Sequence, residues 1–123
     1  MYKIKVYENI SSAHQLREYK GKCENLHGHN WKIEVVFQGG ELDSTGMLID
    51  FKVAKELLKE LAQKLDHKVL NDISPFDIVN PTAENMAGYI HKELGDALNV
   101  PGCRVYSVSV WETDTYCAIY QED

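Results

Sequence analysis

Three histidines, His14 and the pair His27-Gly28-His29, stand near a lone cysteine, Cys23, and that grouping points to zinc chemistry. In an extended segment side chains alternate between faces, so His27 and His29 can grip one ion if they open a strand. Gly28 adds no bulk between them. A third imidazole from His14 completes three neutral nitrogen ligands and leaves a fourth tetrahedral position for water or substrate, the arrangement of catalytic rather than structural zinc. On spacing alone Cys23 has several roles open to it: a fourth ligand, a nucleophile or base, or a small loop residue. Lys22 beside it and a zinc ion near it would both favour the thiolate.

Three further places could carry chemistry. Asp66 and His67 are adjacent at the end of an expected helix, where they form a proton relay or, more plainly, a histidine that complements the helix dipole. Glu112 ends an otherwise apolar strand row, where a carboxylate is costly to desolvate unless something donates hydrogen bonds to it. A ligand with paired N–H groups is its natural partner. Thr82 can cap a helix, with Glu84 as a favourable first-turn charge.

These residues must be positioned by a few elements. Ile4 and Val6 alternate with Lys3 and Lys5 in a strand that runs towards His14. After a polar loop from Gln15 to Leu26, the residues His29, Trp31, Ile33, Val35 and Phe37 show the clearest two-residue period in the chain, a strand that starts at the expected metal. Gly39-Gly40 ends it, and Asp43-Ser44-Thr45-Gly46 reads as a turn. Asp50 caps a helix whose apolar stripe is Val53, Ala54, Leu57, Leu58, Leu61, Ala62 and Leu65. A loop spans Asn71 to Pro81, and a second helix follows with the stripe Met86, Ala87, Ile90, Leu94 and Leu98. A third strand runs from Arg104 to Thr113, with Tyr106, Val108, Val110 and Glu112 on one face and Val105, Ser107, Ser109 and Trp111 on the other. A fourth, Tyr116 to Tyr120, pairs back against it.

The order ββααββ is an α+β pattern: a four-stranded antiparallel sheet with two helices on one face and edge strands open to other copies of the chain. Oligomerisation is expected. The length of 123 residues fits a single domain, 1–123. A composition of 44% hydrophobic and 26% charged residues favours neither disorder nor a fibrous repeat. A formal charge of -6 argues against a general nucleic-acid binder. The apolar runs are too short to cross a bilayer, and the first residues lack the apolar core of a signal peptide, so no membrane association and a cytoplasmic location are expected. Three cysteines without disulfide density suit a reducing compartment.

The segments Ser12-Ala13-His14, Cys23-Glu24-Asn25-Leu26-His27-Gly28-His29, Gly46 to Phe51, Leu65-Asp66-His67, Pro81-Thr82-Ala83-Glu84-Asn85 and Trp111-Glu112-Thr113 together resemble the 6-pyruvoyltetrahydropterin synthase and 6-carboxytetrahydropterin synthase family, of the tunnelling fold. The resemblance covers nearly the whole chain. It implies zinc ligands at His14, His27 and His29, a proton-transfer group of Cys23, Asp66 and His67, and a pterin anchor at Glu112, with Thr82 and Glu84 along the pterin pocket. It also implies trimers that close twelve strands into a barrel, two trimers stacked as a homo-hexamer, and sites formed between subunits. The three-residue interval between Cys23 and His27 resembles the 6-carboxytetrahydropterin synthases of the queuosine and 7-deazaguanine pathway, whereas the 6-pyruvoyl enzymes usually have a longer one. Branches acting on dihydroneopterin replace or supplement the cysteine with a glutamate, and Glu24 follows Cys23 here. The expected reaction is a zinc-dependent conversion of 7,8-dihydroneopterin triphosphate to 6-carboxy-5,6,7,8-tetrahydropterin with release of acetaldehyde and triphosphate. The alternatives are 6-pyruvoyltetrahydropterin synthesis and a noncatalytic zinc-binding module.

Overall fold

Alternation along the first two strands produces the longest ladder in the molecule. A computed structural model describes residues 1–18 and 24–123. In it β1 (Tyr2–His14) pairs antiparallel with β2 (His27–Gly39) along their full lengths, from Tyr2 opposite Gly39 to His14 opposite His27. β2 then pairs with β3 (Arg104–Thr113), and β3 with β4 (Tyr116–Gln121), so the spatial order β1-β2-β3-β4 follows the chain. Between β2 and β3 the chain passes through α1 (Phe51–Leu65), a short 3-10 turn at Leu70–Asp72, and α2 (Ala83–Ala97).

Both helices begin where a side chain can satisfy an orphan amide. The Asp50 carboxylate accepts from Lys52 N–H, and the Thr82 hydroxyl accepts from Asn85 N–H. Their buried stripes enter one apolar cluster with Val6, Ile10, Trp31, Ile33, Val35, Phe37, Val108 and Val110, which places both helices on the same face of the sheet. α1 covers β1, and α2 covers β3 and β4. The other face is mixed: Lys32 and Lys5 reach Glu34 at 3.1 and 3.6 Å, and Tyr7 and Ile119 are exposed beside them.

Two expectations need correction. Val53 is not part of the buried stripe: it is exposed, and Leu57 only packs against the edge of the core. The centre of the α1 stripe runs through Ala54, Leu58, Leu61 and Leu65, which leaves Val53 at its solvent margin. The alternation of β3 also breaks near its start. Val36 pairs with Ser107 but Phe37 with Val105, so Tyr106 is an extra residue in a bulge. Val105 therefore joins the core, while the Tyr106 ring lies 4.4 Å from the Lys3 ammonium. Beyond the bulge, Val108, Val110 and Glu112 keep the face expected of them.

Candidate metal centre

The end of the β1–β2 ladder brings the histidines together. His14 is the last residue of β1, directly opposite His27, and His29 projects from the same face of β2 two residues on. Ring centroids are 4.7 Å apart for His14 and His27, 4.8 Å for His27 and His29, and 5.2 Å for His14 and His29. Trp31, next along the same face, forms the floor, its ring 4.8 Å from His14 and 5.1 Å from His29. Its indole N–H donates to Ser12 C=O at 3.0 Å, which fixes the ring to β1.

Exposure increases from His14, whose side chain is 3% exposed, through His29 at 21% to His27 at 37%. The trio therefore has a closed floor and an open mouth. His14 Nδ1 lies 2.8 Å from Pro81 C=O, and His27 Nδ1 lies 2.8 Å from Asn25 C=O. A proton held on Nδ1 by a carbonyl leaves the Nε2 lone pair of that ring directed elsewhere. Burial holds the His29 pKa below the ordinary imidazole value, against the opposing pull of the Glu112 carboxylate. It thus favours the neutral form that a metal ligand requires.

Glu112 completes the group. Its Oε1 lies 3.0 Å from His29 Nε2 and 3.2 Å from His14 Nε2, and one ligand atom from each of His14, His27, His29 and Glu112 falls within 4.8 Å of the others. Despite this proximity, His14 Nε2 and His29 Nε2 are buried without a hydrogen bond among the described residues. Two orphaned imidazole nitrogens facing a common point, with a third histidine beside them, are a donor set that fits a divalent metal such as zinc. The place of Glu112 at the end of an apolar strand row points to a ligand, but nothing in the sequence shows that its carboxylate reaches the histidines.

Asp66 and His67 lie elsewhere. Asp66 ends α1, and its Oδ1 accepts from Ser11 N–H at 2.7 Å and lies 3.0 Å from His67 Nδ1. The Ser11 amide, opposed by some burial and helped by His67, holds the Asp66 carboxyl below its usual range, so it stays an acceptor for the imidazole. His67 has a φ of 55° and donates its backbone N–H to Ser11 C=O; Ala13 N–H in turn donates to Lys68 C=O. The chain after α1 therefore runs along the outer edge of β1. There His67, its side chain 81% exposed, borders an open cleft of about 490 Å³ that Ser11, Gly28, His29, Asn30 and Lys68 also line. Among the described residues no hydrogen bond or ring contact joins it to the three histidines.

Of the remaining expected site residues, Thr82 serves as the cap of α2, and Glu84 is exposed in the first turn of that helix. Cys23 lies outside the described residues. Glu24, just after it, accepts from Leu16 N–H at 3.1 Å, donates its own N–H to Leu16 C=O at 3.0 Å, and places Oε1 3.9 Å from His27 Nδ1. Sequence reasoning assigned no role to Asn71 or Asn80, which tie the segment after His14 to the loop before α2. Asparagine in a polar loop reads as a turn former, and that signal hides a clamp.

Comparison with known proteins gives a consistent picture. The family described as 6-pyruvoyl tetrahydropterin synthase matches residues 3–123. A Synechocystis protein named 6-carboxy-5,6,7,8-tetrahydropterin synthase is 39% identical, over 94% of this chain and 91% of its own length. The Homo sapiens protein named 6-pyruvoyl tetrahydrobiopterin synthase is 38% identical, over 95% and 82% respectively. The solved structure of Caenorhabditis elegans 6-pyruvoyl tetrahydropterin synthase superposes with a TM-score of 0.83 at 28% identity, covering 99% of this chain and 96% of that one.

Proposed function

Since the chain belongs to the 6-pyruvoyl tetrahydropterin synthase family, we propose that it is a zinc-dependent 6-carboxy-5,6,7,8-tetrahydropterin synthase, a carbon–carbon lyase of queuosine and 7-deazaguanine biosynthesis. The substrate would be 7,8-dihydroneopterin triphosphate. With a water molecule it would yield 6-carboxy-5,6,7,8-tetrahydropterin, acetaldehyde and triphosphate. The observation that carries this reading is the convergence of three imidazoles, two with orphaned Nε2 atoms, at the mouth of a pterin-synthase fold. The short interval from Cys23 to His27 and the relatives named 6-carboxy enzymes support this branch.

His14, His27 and His29 would hold zinc, which when bound supplies Lewis-acid stabilisation of negative charge on the oxygens of the substrate side chain. Cys23, as thiolate, would accept the first C–H proton. His67 would exchange protons with the reacting side chain, and Asp66 would orient its imidazole by accepting from Nδ1–H. Glu112, whose Oε1 lies beside His29 and His14, would accept the amino and ring N–H groups of the pterin and so hold the side chain over the histidines. Thr82 and Glu84 would border the pterin from the start of α2, which leaves Thr82 its capping role as well.

Residues 1–123 would act as one catalytic domain within a homo-hexamer of two stacked trimers. In such an assembly His67, whose side chain is 81% exposed and makes no ring contact with the trio of its own chain among the described residues, would serve the histidine trio of a neighbouring copy. Among the described residues the outer edge of β4, and that of β1 before the contacts of Ser11 and Ala13 with residues 66–69, pair with no strand and could pair between copies. No helix among the described residues is long and apolar enough to cross a membrane.

The similarity to the Homo sapiens 6-pyruvoyl enzyme favours one second reading, the sister reaction that eliminates triphosphate and retains the three-carbon side chain. Either reading requires the metal. Stripping zinc with a chelator should abolish consumption of 7,8-dihydroneopterin triphosphate, and restoring about one zinc per chain should return it. Unchanged consumption by metal-free protein would refute the zinc mechanism, and zinc retention with no turnover of any pterin would favour a noncatalytic metal-binding module.

A further inference from the structure

Beyond β1 the chain is held by side chains that take the place of a neighbouring strand. Asn71 accepts from Gln15 N–H at 2.9 Å and donates to Gln15 C=O at 2.8 Å. Two residues on, Asn80 accepts from Arg17 N–H at 2.8 Å and donates to Arg17 C=O at 2.9 Å. An amide side chain offers one acceptor and donors in the geometry of a peptide group, so each asparagine pairs with both backbone groups of one residue. The Arg17 guanidinium closes the same loop by donating to Phe76 C=O at 2.6 Å and Val79 C=O at 2.9 Å.

The second clamp leads to the metal centre. Asn80 C=O accepts from Asn85 Nδ2 at 2.8 Å, and the next residue but one, Thr82, is fixed as the cap of α2. Pro81 lies between these two anchors, and its carbonyl is the partner of His14 Nδ1 at 2.8 Å. His14 is the most buried member of the trio and, among the described residues, has no other hydrogen bond on its ring. Its tautomer and orientation therefore depend on where that carbonyl stands. We propose that Asn80 is a positioning residue for His14: by locking residues 80 to 82 against Arg17, it holds the Pro81 carbonyl that keeps the proton on Nδ1 and presents Nε2 to the metal. The proposal rests on the metal reading of the histidine trio.

The test is zinc affinity of the full chain, measured by competition with a chromophoric chelator after metal removal, for the wild type, Asn80→Ala and Asn80→Asp. The Co²⁺ absorption spectrum of each gives the ligand geometry. Loss of a direct outer partner of a ligating histidine typically weakens metal binding about 10–100-fold, and Asn80 acts on that partner through one peptide, so Asn80→Ala should lose about 10-fold and show an altered Co²⁺ spectrum. Asn80→Asp keeps the acceptor for Arg17 N–H but not the donor to its carbonyl, and should fall between. A purely structural asparagine would lower the melting temperature of metal-free and metal-loaded protein alike and leave zinc affinity unchanged, which would overturn the proposal. If Asn80→Ala does not fold, Asn80→Asp decides by the same criterion. Failure of the wild type to bind zinc would refute the metal reading and this proposal with it, whereas tight wild-type binding with unchanged variants would refute the proposal alone.

Discussion

His29→Ala should lose its zinc and, with it, turnover by about 10³- to 10⁴-fold, because a catalytic metal contributes several kcal/mol of transition-state stabilisation and each ~1.4 kcal/mol is tenfold in rate. His29 is central to this outcome. It joins the trio through its ring neighbours, meets Glu112 at 3.0 Å, and is kept neutral by burial. His91 provides the control. It sits on α2 with Nε2 3.0 Å from Val105 C=O and its ring 4.8 Å from Tyr120, away from the trio. His91→Ala should keep about one zinc per chain. Metal analysis of the two purified variants checks this, and retention of zinc by His29→Ala would remove His29 from the ligand set.

Cys23→Ala separates proton transfer from metal binding. If Cys23 is the base, turnover should fall by about 10²- to 10⁴-fold, the usual contribution of a positioned proton acceptor, with zinc content still near one per chain. Loss of zinc in parallel would make Cys23 the fourth ligand and transfer the proton chemistry to Asp66 and His67. The same variant addresses Glu24, whose carboxylate stands 3.9 Å from His27 Nδ1. Substantial residual turnover that disappears on a further Glu24→Gln change would assign that glutamate a catalytic part.

Much of this was legible in the chain because its signals are local. The two-residue period of β2 predicts that His27, His29 and Trp31 share a face, and the pairing of His14 with His27 needs only that β1 and β2 form one antiparallel ladder. Both caps and both helices follow from Asp50, Thr82 and the apolar stripes behind them. What escaped depends on distance or on interruption. Glu112 reaches His14 across a connection of two helices, so nothing near either residue announces the contact. The bulge at Tyr106 inserts one residue into an otherwise regular period and moves Val105 into the core. Asn71 and Asn80 have turn-forming identities, and their clamps appear only when the segment after His14 is laid beside them. Asp66 and His67 were legible as a pair, but their place on the outer edge of β1 comes from the path of the chain after α1.

The central claim is the reaction itself, and product identity tests it most directly. Zinc-loaded protein incubated with 7,8-dihydroneopterin triphosphate should give 6-carboxy-5,6,7,8-tetrahydropterin by mass spectrometry, with acetaldehyde released in equal amount. Formation of 6-pyruvoyltetrahydropterin with no acetaldehyde would contradict it and assign the protein to the sister reaction.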